Sequence, residues 1–314
     1  MMRVHVAWWM GLLACSNPTP PKGKLVVVLT LDWEGAYLSA EGLHAIEVMR
    51  AGMTDVPVTH FVSAGYFSKT PQTPDAGGAL KAAVKPGDEV AMHLHAWVSL
   101  AHASGVEPKA SPSFLSGTDK VLQFPDGDVG FDTDLDTYEV SELRSMLQTS
   151  RQLIAANGLD PSTSFRAGGY LATPKLLAAI AAEGYTADAS AIDAKLLSAE
   201  TPDLASRLRT LWPTIGATAQ PLVLSPVGEH PLVELPITSV LDYVSVDVTL
   251  ALVDKIAAQR HAHPEGDAFV VLAFHQETAE EFVPRVRDVI TRARARYGDE
   301  ITFTTVEKAV EALR

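Results

Sequence analysis

The chain has 314 residues, 47% of them hydrophobic and 20% charged, a formal net charge of −13 and a single cysteine. That length and apolar content can bury a large core, as one big domain or two smaller ones. The acidic balance argues against nucleic acid or an anionic membrane surface as a partner, and the lone cysteine excludes a disulfide within the chain.

The first residues stand apart. Met1-Met2-Arg3 is a short basic start, and Val4 to Leu13 is an apolar run too short to span a bilayer as a stable helix. Leu12-Leu13-Ala14-Cys15 follows, with a small residue before the cysteine and an aliphatic one three before it. These residues resemble a bacterial lipoprotein signal. The resemblance implies that residues 1–14 are removed and that the Cys15 thiol carries a lipid, anchoring the protein to a membrane of the bacterial cell envelope. Ser16 after the cysteine implies outer-membrane sorting, periplasmic or surface, in a cell with two membranes. A plain secretory signal cut nearby is the alternative. Residues 15–23, with Pro18, Pro20, Pro21 and Gly23, form an extended tether, so the folded domain is expected over 24–314.

Within that domain the pattern alternates. Leu25-Val26-Val27-Val28-Leu29-Thr30-Leu31 reads as a strand buried on both faces and runs into Asp32-Trp33-Glu34-Gly35. The acids read either as strand-end chemistry or as the opening of the next helix. Glu41 to Ala51 has helical periodicity, Pro57 to Ser63 is a strand, Ala76 to Val84 a helix, and Glu89 to His95 a strand. This βαβαβ run with short connections is the signature of parallel strands. Ala96 to Thr137 breaks the rhythm with Gly, Pro, Ser and the acids Asp126, Asp128, Asp132, Asp134 and Asp136. Their spacing does not match a calcium-binding loop, so a solvated loop is expected.

The rhythm then resumes. Glu139 to Ala156 and Pro174 to Glu183 read as helices, with Thr163 to Arg166 a short strand between them. Tyr185 to Ser190, Leu208 to Leu211 and Leu232 to Leu235 read as strands, and Thr249 to His261 as a helix. Ala268 to Phe274 is a second fully apolar strand, Ala279 to Tyr297 a long helix, Ile301 to Thr304 a strand and Val306 to Leu313 a closing helix. The expected fold is α/β, a distorted (β/α) barrel of about seven parallel strands.

Polar residues recur at the ends of these strands. Parallel strands bring such ends together. His93 and His95 are two apart and point the same way on a regular strand. Two imidazoles with a carboxylate from the first strand make a divalent-metal site with open positions. His275, emerging from a buried strand, is poised for proton transfer if a carboxylate tunes it. Arg166 can hold a carboxylate in bidentate fashion, with Asp32 as partner.

In order, these stretches resemble the polysaccharide deacetylases, carbohydrate esterase family four. Thr30-Leu31-Asp32-Trp33-Glu34 stands where the family has Thr-Phe-Asp-Asp, which makes Asp32 the catalytic base and Glu34 the substitute metal ligand. Gly87-Asp88-Glu89-Val90-Ala91-Met92-His93 matches the lead-in to the histidine pair. The position four on is Trp97, so His95 must supply the second imidazole. Phe165-Arg166-Ala167-Gly168-Gly169-Tyr170 is similar to the arginine motif, and Leu272-Ala273-Phe274-His275 fits the last motif. For the acid that tunes the catalytic histidine, Asp188 is assigned, with Asp193 the alternative; the family's tryptophan there is not evident.

The resemblance implies a metal-dependent hydrolase, with zinc or a similar divalent ion, that removes acetyl or other N- or O-acyl groups from a glycan. Asp32 would take the water's proton, His275 tuned by Asp188 would protonate the leaving group, and Arg166 would orient Asp32. Trp33, Trp97 and Tyr170 read equally as platforms for a sugar face or as core. Two rivals stand beside this: an inactive glycan-binding lipoprotein of the same fold, and a deacylase of non-sugar amides.

Overall fold

The computed structural model describes residues 23–70, 73–197, 201–224 and 231–314. The expected signal peptide, Cys15 and the tether up to residue 22 lie outside the described residues. The Gly23 N–H donates to the Pro264 carbonyl at 2.7 Å and the Lys24 N–H to Asp267 Oδ1 at 2.6 Å, which ties this end of the described chain to residues 264–267.

The elements run β1 (Leu25–Trp33), α1 (Ala40–Gly52), β2 (Val58–Ser63), α2 (Gly65–Ser68), α3 (Ala76–Ala83), β3 (Glu89–Leu94), α4 (Val98–Ala103), α5 (Val140–Ala156), β4 (Pro161–Ala167), α6 (Pro174–Ala182) and β5 (Ala187–Asp188). They continue α7 (Pro202–Leu211), β6 (Leu222–Leu224), β7 (Leu232–Glu234), β8 (Ser239–Val240), α8 (Val246–Ala262), β9 (Ala268–His275), α9 (Ala279–Tyr297), β10 (Ile301–Thr304) and α10 (Val306–Glu311). The strand order is β6-β7-β5-β4-β3-β2-β1-β9-β8, and β10 pairs with β1. Each of these pairings is parallel except β6 with β7. The sheet curls into a distorted (β/α) barrel; among the described residues its edge strands β6 and β8 do not pair with each other.

Strand alternation sorts the core into two layers. Leu25, Val27, Leu29, Leu31 and Trp33 of β1 pack outward with the helices, together with Val90, Met92 and Leu94 of β3 and Val270, Leu272 and Phe274 of β9. Val26 and Val28 face inward with Ala91, Val271 and Ala273. Each fully buried aliphatic side chain contributes about 1.5–3 kcal/mol. A slip of one residue would turn every one of them to the wrong face and drive Asp32 into the helix layer, so the register is strongly specified. Val306, Ala309 and Val310 of α10 join the inner cluster with Val26 and Val28. They plug the amino-terminal end of the strands and leave the carboxyl end open for chemistry.

Two expectations fail here. Leu208 to Leu211 is not a strand but the last turn of α7, whose Leu204, Ala205 and Leu208 are buried on one face. A short apolar run does not by itself separate strand from helix. The strand expected over Tyr185 to Ser190 shrinks to Ala187–Asp188, and the two-residue β8 had no signal in the sequence.

Candidate active site

Register brings the strand-end residues together. Asp32 lies opposite His275 across β1 and β9, Ser63 opposite His93 across β2 and β3, and His93 opposite Arg166 across β3 and β4. Glu34 follows two residues after Asp32 and so returns to the inner side. The chain can turn there because Gly35 has φ +81, and a Cβ at that position would sit 2.7 Å from Ser63 Oγ and 3.0 Å from Trp97 Nε1.

Glu34, His93 and His95 are buried and present ligand atoms within 4.8 Å of one another. His93 Nε2 lies 3.1 Å from Glu34 Oε2 and 3.1 Å from His95 Nε2, and His95 Nε2 also contacts Glu34 Oε2. The other ring nitrogens are committed: His93 Nδ1 donates to the Arg166 carbonyl at 3.0 Å and His95 Nδ1 to the Phe131 carbonyl at 2.6 Å. A carbonyl only accepts, so Nδ1 carries the hydrogen on each ring, and the neutral rings offer lone pairs at Nε2. Two such lone pairs and a carboxylate in this space repel one another unless a cation or proton lies between them. Carbonyl-anchored imidazoles are also how metal-ligating histidines are oriented. The donor set therefore fits a divalent metal. Burial raises the Glu34 carboxyl, but His95 and His93 outweigh it and hold it well below the usual range. Burial pulls the His93 imidazole down, and the charge and hydrogen bond of Glu34 more than reverse this.

Asp32 is fully buried. Its Oδ1 accepts from Arg166 Nη1 at 2.6 Å, and Arg166 is itself fixed by Thr30 Oγ1 at 2.8 Å and the Ala189 carbonyl at 2.8 Å. The expected bidentate clasp is a single contact. Asp32 Oδ2 has no hydrogen-bond partner and lies 3.8 Å from His275 Nε2. A buried unpaired carboxylate oxygen aimed into a site is costly unless something there uses it.

His275 Nε2 is 3.1 Å from the Tyr170 hydroxyl and 3.4 Å from Glu34 Oε1. Its Nδ1 donates to Asp242 Oδ2 at 3.0 Å, and Asp242 is steadied by the Thr278 hydroxyl and the His275 N–H. Burial lowers the imidazole, but the Asp242 charge, Tyr243, the Asp242 hydrogen bond and Glu34 together push it well above its ordinary value.

Asp242 is the residue the sequence reading missed. Asp188 is not beside His275: it is fully buried, accepts from Ser190 Oγ at 2.5 Å, and lies opposite Glu234 across β5 and β7. Burial raises both carboxyls, Glu234 strongly, with the Asp188 charge adding to it. The cause of the misassignment is strand order. β5 is separated from β9 by β4, β3, β2 and β1, whereas Asp242 follows β8, the immediate neighbour of β9. Asp242 follows only the apolar pair Val240-Leu241, too short a run to mark it as Asp32 is marked. Asp193, the other candidate, caps a turn by accepting from the Lys195 N–H at 3.0 Å.

Two of the three proposed aromatic platforms are core. Trp33 is fully buried on the outer face, where its Nε1 donates to His60 Nδ1 at 3.1 Å; His60 Nε2 in turn donates to Asp88 at 3.2 Å. Alternation requires this, since Trp33 lies between the inward Asp32 and Glu34. Trp97 is also fully buried, and its Nε1 donates to the Glu34 carbonyl at 3.0 Å. Each ring thus helps fix the backbone that carries Glu34. Tyr170 does reach the site, with φ +62, an unusual conformation for a residue other than glycine.

The loop over 96–137 is exposed along most of 117–127, as expected, but its Phe114 and Phe131 also wall the site. Phe131 stacks on His95 with centroids 4.3 Å apart and planes 10° apart, and Phe114 lines the same cavity. Its aspartates are structural: Asp126 pairs with Lys69, Asp128 with Ser99, and Asp134 with Arg207, while Asp132 accepts from the Leu122 N–H. None of them belongs to a candidate metal group among the described residues.

No protein-family model matches the sequence, and no curated protein does. Solved structures match in shape. One assigned as a polysaccharide deacetylase from Mycobacterium smegmatis is 16% identical with a TM-score of 0.56, covering 95% of this chain and 94% of its own. The Puue allantoinase is 14% identical with a TM-score of 0.54, covering 98% and 97%. One assigned as a polysaccharide deacetylase from Pseudomonas aeruginosa PAO1 is 13% identical with a TM-score of 0.54, covering 94% of each. At such identities the likeness is one of fold, and it agrees with the barrel described above.

Proposed function

We propose that a chain with this fold is a metal-dependent deacylase that removes an N- or O-acyl group, an acetyl group in the first instance, from a glycan. The observation that carries the reading is the meeting of Glu34, His93 and His95 beside Asp32 Oδ2 and His275 Nε2 at one end of the barrel. Two imidazoles and a carboxylate suit zinc, which when bound would supply an acidified water and polarise the acyl oxygen. Glu34, His93 and His95 would hold it.

The remaining chemistry belongs to the chain. Asp32 Oδ2 takes a proton from the attacking water, while Arg166 holds Oδ1 and sets the angle of the carboxylate. The carbon–nitrogen or carbon–oxygen bond then breaks, and His275 Nε2 gives its proton to the departing amine or alkoxide. His275 is suited to this because the Asp242 carboxylate offsets the burial that would otherwise discharge it. The Tyr170 hydroxyl, 3.1 Å from Nε2, orients the ring.

A pH test follows from the sign of that shift. Asp242→Asn removes the charge that favours imidazolium and leaves the burial, so the His275 pKa falls. The alkaline limb of kcat/KM should move to lower pH, and turnover at pH 8 should drop more than at pH 6. A limb that stays in place would remove Asp242 and His275 from the acid role.

The reading as a whole is tested by metal content together with acetate release from acetylated sugars. One equivalent of metal with turnover supports it. Bound metal without turnover on any acylated sugar or amide favours the glycan-binding alternative.

We further propose that the protein is lipid-anchored in a bacterial envelope through Cys15, on the strength of Leu12-Leu13-Ala14-Cys15 alone. Among the described residues no helix is long and apolar enough to cross a membrane. Cys15→Ser should move the protein from the membrane to the soluble fraction, and unchanged membrane association would rule the anchor out.

A further inference from the structure

We infer that the preferred acyl group is larger than acetyl, about butanoyl to hexanoyl or a benzoyl ring. The inference rests on the deacylase reading and concerns the shape of the space behind the site. A cavity of about 220 Å³ is lined by Asp32, Glu34, His93, His95 and His275 together with an apolar wall. The wall is made of Phe114, Leu115, Phe131, Leu197 and Leu204. Phe114, Leu197 and Leu204 are 3%, 1% and 4% exposed, so the wall is a built interior surface and not a patch of outer skin.

A second, wider cleft of about 480 Å³ opens on the other side of the same residues. It carries Tyr37 and Tyr243, which are 48% and 42% exposed, together with Asp242 and Glu277. The two spaces share Glu34, Phe131, Tyr243 and His275, but His93 and His95 line only the first. This decides which half of a substrate goes where. The acyl carbonyl has to lie against the His93 and His95 side. The leaving atom has to reach His275, and from there the open cleft with its exposed aromatic rings receives the rest of the molecule. The acyl chain therefore runs into the first cavity, along its apolar wall.

Size then argues against acetyl. An apolar cavity of about 150 Å³ admits a benzene ring. A methyl group would leave most of this cavity unfilled and its lining without contacts. Each added methylene buried there should strengthen binding about fourfold until the cavity is full.

The test is a ladder of acetate, butanoate and hexanoate titrated calorimetrically into the zinc-loaded full chain. Hydrolysis of the matching 4-nitrophenyl esters, which share one leaving group, runs in parallel. Affinity and kcat/KM are expected to rise about fourfold per methylene toward hexanoate. Leu204→Trp fills the cavity and should abolish the preference for hexanoate over acetate. Leu115→Trp does the same from a half-exposed position that tolerates bulk, should the first variant fail to fold. Equal or better binding of acetate overturns the inference, and so does a preference that survives both tryptophans. Hydrolysis confined to acetyl esters overturns it and leaves the deacylase reading standing. A binding ladder without turnover of any ester supports the cavity and removes the deacylase reading.

Discussion

Asp32→Asn is expected to lower kcat about 10³-fold while leaving the metal content at one equivalent. The first half follows from the proposed role of Asp32 as base, since a positioned base contributes roughly 10²–10⁴-fold. The second half follows from geometry. The tight ligand cluster is Glu34, His93 and His95, and Asp32 turns its bound oxygen to Arg166. Asparagine is the right replacement because its amide oxygen can still accept from Arg166. Alanine would strand a fully buried guanidinium, and breaking a buried ion pair costs about 3–5 kcal/mol, enough to confuse lost chemistry with lost folding. Turnover within tenfold of the parent would remove Asp32 from the role of base. Loss of metal would instead make Asp32 a ligand, as its proximity to Glu34 and His275 in a second group allows.

His93→Ala should release the metal and, with it, turnover. The imidazole supplies one of three buried donors, and its Nδ1–H to the Arg166 carbonyl also ties β3 to β4 beside the base. Loss of an outer partner of a ligand typically weakens metal binding by 10–100-fold, so loss of the ligand itself should exceed about 10²-fold. Elemental analysis after dialysis reads this directly, and circular dichroism checks that the barrel survives. A full equivalent of metal in the variant would mean that the donor set has been misread. The contrast is His60→Ala, which breaks the chain from Asp88 through His60 to Trp33 on the outer face. That variant should lower the midpoint of thermal unfolding and leave metal stoichiometry at one.

Much of the site was legible because its residues obey a local rule. His93 and His95 face together, and Asp32 and Glu34 face together, since strands alternate with period two. Long apolar runs such as Val26 to Leu31 and Phe269 to Phe274 declare buried parallel strands, and a parallel sheet gathers its carboxyl ends at one rim. The same rule sends Trp33 outward, which decides between the two equal readings, sugar platform and core, in favour of core.

What local order could not supply was adjacency. The partner of His275 depends on which strand lies beside β9, and β8 is two residues long, too short to carry a pattern. Nor does periodicity say where an irregular segment lies, so only the folded chain places Phe114 and Phe131 over the histidines. The amino-acid sequence by itself determined the α/β barrel and the inward placing of Asp32, Glu34, His93, His95, Arg166 and His275. The tertiary structure alone decided that Asp242 and not Asp188 faces His275, that Trp33 and Trp97 are buried supports, and that apolar residues wall the cavity beside the histidines. Alternation is set by neighbours along the chain, whereas these contacts are set by strand order and loop packing between residues far apart in it.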